Sequence, residues 1–152
     1  MLGKGAVDKM VDVAVTAITL KARLADLANM DMAYAPPFST AIHPFVAAVQ
    51  ILLNKLSGRL VSMGPADFQA GKAEGRRIID VGPAPSLEGA PYLDFTAMPN
   101  GLEGIGKDEK LLLVCAKGKR AYLTQNRLRA LGYTDTVVLE GGTTVNGTDL
   151  VK

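Results

Sequence analysis

The chain's single cysteine, Cys115, closes an apolar run and opens a cationic one in the segment LLLVCAKGKR, residues 111–120. Two chemistries fit a thiol in that setting. Free cysteine is among the most buried residue types and fills core space as a small apolar group. Its thiolate is also a nucleophile where the surroundings tolerate negative charge. Lys117, Lys119 and Arg120 supply positive charge, and Gly118 lets the backbone curl until successive N–H groups converge on one point. Cys115 is accordingly the candidate catalytic residue. Ala116, Lys117, Gly118, Lys119 and Arg120 are the candidate loop that binds its anionic cargo.

Loop length decides which cargo is expected. From Cys115 to Arg120 the loop counts six residues. Protein phosphatases of the cysteine type cradle phosphate with a loop one residue longer, C-x5-R. The shorter ring encloses less space, enough for one added sulfur atom, so a persulfide is favoured over a phosphoryl group.

The elements that must hold this loop are readable from periodicity. Residues 111–115 are continuously apolar, as a central parallel strand buried on both faces should be. Further strands are expected at 60–63, 77–81, 91–95 and 136–139, and helices at 65–73 and 119–131. In the second helix Ala121, Thr124, Leu128 and Leu131 share a face, and Gly132 ends it. Strands alternating with helices predict an α/β domain with a mostly parallel central sheet covered by helices. Cys115 then lies at the carboxyl end of a strand, where such sheets bind ligands, facing a helix N-terminus that favours anions.

Composition changes near residue 57, and the expected domains are 1–57 and 58–152. In the first, Val13, Ala17, Leu20, Leu24 and Leu27 recur at spacings of three and four and predict one helical face. YAPPFST stops that helix, and a second is expected from His43-Pro44 through Leu56, with Gly58 as terminator. His43 reads as a helix N-terminal residue. The two helices carry more apolar surface than a pair can cover alone, so they are expected to pack on the second half, another copy of the chain or a missing domain.

With 152 residues, 48% hydrophobic and 21% charged, the chain can build a core without disulfides or metal. A formal charge of +2 and the absence of Trp give no case for nucleic acid. One cysteine and one histidine make no zinc site, so no metal is expected. Asp8, Lys9 and Asp12 interrupt the N-terminal apolar stretch, which argues against a signal peptide or membrane span and for a reducing cytoplasm.

At Cys115–Arg120, with the following helix RAYLTQNRLRALGY and the turn LEGG at 139–142, the sequence resembles the rhodanese family. RIIDVG at 77–82 is similar to that family's early strand, usually written I-D-V-R, with Gly82 in place of the arginine. Asp80 in that strand reads as structural support, accepting loop N–H groups. The family's rim segment is reduced here to PSLEGAPY. The resemblance implies a sulfurtransferase in which Cys115 carries a persulfide. It implies a sulfane-sulfur donor such as thiosulfate or polysulfide, and a thiol acceptor, coenzyme A among the candidates.

The first half, with DMAYAPPFST, resembles the end of the dimerisation domain of flavin-dependent pyridine nucleotide–disulfide reductases of the coenzyme A-disulfide reductase group. Some of these carry a rhodanese domain directly afterwards. The whole chain is thus similar to the C-terminal tail of a coenzyme A-disulfide or persulfide reductase. Tyr34 matches the tyrosine of that signature and is an interface candidate. No G-x-G-x-x-G follows a strand, so no cofactor is expected in this chain; FAD and NAD(P)H are implied only for a full-length parent. A homodimer or a flavoprotein partner is expected. The competing reading is a non-catalytic dimerisation or docking fragment.

Overall fold

The computed structural model describes residues 5–97 and 101–151. Contacts divide the chain into two compact units, Met1–Ser57 and Gly58–Lys152. The first holds helices α1 (Val7–Thr19), α2 (Leu24–Ala28) and α3 (Pro44–Leu56). The second runs β1 (Ser62–Met63), α4 (Pro65–Gln69), β2 (Arg77–Asp80), a 3-10 turn (Phe95–Ala97), β3 (Leu111–Val114), α5 (Lys119–Ala130), β4 (Thr136–Leu139) and α6 (Gly142–Asn146).

The sheet of the second unit has four strands in the order β1-β4-β3-β2, each pair parallel. β3 lies inside, with Leu113 paired to Ile79 on one side and Val138 on the other. Alternation along β3 divides its residues between two cores. Leu111 and Leu113 pack with Ile79, Val81, Ala121, Leu128 and Tyr133, while Leu112 and Val114 pack with Val137, Leu139, Leu87 and Leu150. Both faces are thus buried, which is why the strand reads as an unbroken apolar run. Each leucine so enclosed contributes about 2–3 kcal/mol. Cys115 continues the odd-numbered set and belongs to the core that includes Ala121 and Leu128 of α5.

Short edge strand β1 is fastened by a side chain. Fully buried Gln125 of α5 accepts from the Val61 N–H at 3.1 Å and donates to the carbonyls of Val61 (2.8 Å) and Thr136 (2.7 Å). These bonds bind the strand ends to the helix covering them.

Three expectations are corrected. Residues 91–95 form no strand; the pairing shrinks to one bridge between Asp80 and Tyr92. Pro91 has no N–H to give, and Asp94 turns the chain by accepting from the Thr96 N–H and hydroxyl. The helix expected at 65–73 ends at Gln69, with Gly71 at φ +79 close behind. In the first unit the expected single face breaks after Thr19. Lys21 takes φ +53, with its N–H donating to Ile18 and that of Ala22 to Ala17, a Schellman closure built without glycine. Leu20 is left exposed, while Ala17 and Leu27 still meet Phe45 and Val49 of α3. α3 begins at Pro44, and His43 caps it, its Nδ1 accepting from the Phe45 N–H at 3.3 Å.

Candidate functional site: the cysteine loop

The site starts at the end of β3. Cys115 is buried, and its Sγ accepts a hydrogen bond from the Gly118 N–H at 3.2 Å. Gly118 stands at φ +91, a left-handed conformation that L side chains enter at a cost, and forms the N-terminal boundary of α5. The loop thereby folds back on its own sulfur before entering a twelve-residue helix. Lys117 and Lys119 are exposed and Arg120 is half-buried.

The loop is also held from beneath. The N–H groups of Thr143 and Thr144, in the first turn of α6, donate to the carbonyls of Cys115 (3.1 Å) and Ala116 (3.0 Å). These two residues escaped the sequence reading, although the adjacent LEGG turn carried the signal. The Asp94 carboxyl is held below its ordinary value by the Thr96 N–H, then the Thr96 hydroxyl; burial opposes them, and the Arg120 charge adds the smallest lowering effect.

Asp80 ends the strand beside β3 and is almost fully buried. Its carboxylate accepts from the N–H groups of Gly82 (2.9 Å) and Leu87 (3.0 Å) and from both the N–H and the hydroxyl of Ser86. It therefore organises the 80–87 turn. Gly82, where the resemblance leads one to expect arginine, is buried in that turn. A Cβ there would meet the Ala84 carbonyl oxygen at 2.9 Å and Asp80 Oδ1 at 3.0 Å. Tyr34 lies exposed in the first unit. Among the described residues no group of three or more His, Cys, Asp or Glu could hold a metal ion, and no helix is long and apolar enough to cross a membrane.

A parallel sheet whose central strand delivers a cysteine into a curled six-residue loop at a helix N-terminus defines the rhodanese-like class. The family model for the rhodanese-like domain matches residues 64–145, more than half of the chain, and the chain belongs to that family. Among solved structures it is similar to the NAD-dependent persulfide reductase from A. fulgidus, with 29% identity and a TM-score of 0.78 over 93% of this chain and 26% of that one. It is also similar to Bacillus anthracis CoADR-RHD, with 25% identity and a TM-score of 0.81 over the same shares. A rhodanese-like domain protein from Staphylococcus aureus matches 58% of this chain and 92% of its own, with 25% identity and a TM-score of 0.50. The chain thus spans about a quarter of the length of the first two. The resemblance to reductase-linked rhodanese domains holds over nearly all of the chain. A comparison with curated proteins finds no match.

Proposed function

We propose that this chain transfers sulfane sulfur through a persulfide on Cys115, in association with a flavin-dependent disulfide or persulfide reductase. The observation that carries the reading is the loop itself: the Sγ of Cys115 receives the Gly118 N–H inside a six-residue ring that ends at the N-terminus of α5. The Cys115 thiolate attacks the outer sulfur of thiosulfate or a polysulfide. The new S–S bond forms as the donor's own S–S bond breaks, and the donor leaves with that electron pair as sulfite or a shortened polysulfide. An acceptor thiolate, coenzyme A or a protein thiol, then takes the outer sulfur and returns Cys115 as thiolate. Loop N–H groups stabilise the charge on the terminal sulfur, and Lys117 and Lys119 attract the anionic donor. FAD and NAD(P)H belong, on this reading, to the reductase that uses the product.

The test is mass spectrometry after incubation with thiosulfate or polysulfide. A single-sulfur adduct on Cys115 is expected, and none on Cys115→Ser. Equal sulfur uptake by Cys115→Ser sinks the proposal.

A second reading, an interface module in the first unit, is favoured by one observation: Ile18, Leu20, Phe38 and Leu56 there are 69–90% exposed. Light scattering decides it, because a monomer at all concentrations, alone and with the reductase, removes the case.

A further inference from the structure

We infer that the Gly141-Gly142 turn is a positioning element for the cysteine loop, and that Gly142 is the residue on which the loop's amide orientation depends. The inference rests on the reading of Cys115 as a sulfur carrier. Gly142 is buried against the loop backbone. A Cβ on it would overlap the Cys115 carbonyl oxygen and come within 2.8 Å of the carbonyl carbons of Cys115 and Ala116. These are backbone atoms, which cannot swing aside as a flexible side chain would. Gly118 is a different case, because a Cβ there would find its nearest neighbour at 3.9 Å, so only its φ calls for glycine.

The close approach has a chemical consequence. With no Cβ between them, the Thr143 and Thr144 N–H groups reach the Cys115 and Ala116 carbonyls. In a trans peptide the carbonyl and the following N–H point in opposite directions. Drawing these two carbonyls toward α6 therefore turns the N–H groups of Ala116 and Lys117 the other way. It also withdraws two oxygens that would repel an anionic terminal sulfur. The exchange is reciprocal: Gly141 provides no side-chain cap for α6, and the loop carbonyls take up N–H groups in its first turn.

Two variants test this. Gly142→Ala adds the forbidden atom. Thr143→Pro deletes one donor and sets its ring Cδ where that N–H pointed, against the Cys115 carbonyl, at a first-turn position where the N–H has no intrahelical acceptor. Readouts are the amide resonance of Gly118, which reports its bond to Sγ, the rate of sulfur loading on Cys115, and the thermal melt. A displaced Gly118 amide is expected in both variants. Loading should slow about tenfold or more in Gly142→Ala and roughly fivefold in Thr143→Pro. Gln125→Leu, which loosens β1 instead, should lower the melting temperature yet load at the wild-type rate. A folded variant with an unmoved Gly118 amide, or one that loads at the wild-type rate, overturns the inference. Should Gly142→Ala fail to fold, Thr143→Pro decides alone. If the wild-type protein takes up no sulfur, the proposed function falls, and the Gly118 amide by itself decides the positioning role.

Discussion

At Asp80 one buried carboxylate collects three backbone N–H groups and a hydroxyl from the turn that follows β2. Removing it strands those donors, each costly to leave unpaired away from water. Asp80→Ala should lose about 3 kcal/mol in urea unfolding; a loss below about 1 kcal/mol would mean that water replaces the carboxylate freely. Gly82 beside it resists restoration of the family arginine, because the Ala84 carbonyl and Asp80 Oδ1 occupy the space its Cβ needs. Gly82→Arg should cost about 1–3 kcal/mol through displacement of the turn, read as a lowered melting temperature. An unchanged melt would show that the turn yields easily. The identity of these residues was plain in RIIDVG. That a Cβ on this glycine would crowd the Ala84 carbonyl and Asp80 Oδ1 was not, because that crowding comes from backbone folded back by the turn.

Among the elements, the central strand was the most legible. Its apolar run is dictated by burial on both faces, and the structure supplies both cores. Less legible was residues 91–95, where proline and an aspartate turn outweighed an extended pattern. The break after Thr19 was hidden for another reason: lysine, not glycine, takes the left-handed position there. Gln125→Leu should cost about 2 kcal/mol, since it takes their Gln125 partner from the Val61 N–H and the Thr136 carbonyl, while the Val61 carbonyl keeps the Val138 N–H; chemical denaturation measures it. The Asp94 turn makes a pH prediction. Its folded-state acidity is strengthened, so the cap's contribution is complete above the unfolded aspartate value and is lost as pH falls through the lower folded value. The Thr96 amide should titrate with a midpoint below that of an ordinary aspartate, and a midpoint at or above it contradicts the assignment.

On the scale of the whole molecule, each unit has its own core. Ala17, Leu27, Phe45 and Val49 serve the first, and the two clusters flanking the sheet serve the second. Residues 58–152 alone should therefore melt cooperatively and still take up sulfur on Cys115. A non-cooperative melt would show that the second core depends on the first unit.

By itself the sequence determined the α/β class, the parallel central strand, the loop from Cys115 to Arg120 and the kinship with rhodanese-like domains. The first three follow from local pattern, burial period, loop length and residue type over a few adjacent positions, and the kinship from the resemblance of CAKGKR, RIIDVG and LEGG to the family's motifs. Tertiary structure alone decided what braces that loop. Arg120 closes that loop in sequence, yet the bonds to the Cys115 and Ala116 carbonyls come from Thr143 and Thr144 of α6, which follows the adjacent strand β4. The reason is geometric, because backbone donors carry no residue-type signature. Only the parallel pairing of β3 with β4 sets the ends of the two strands side by side, with Gly142 just beyond them, where a Cβ would overlap the Cys115 carbonyl oxygen.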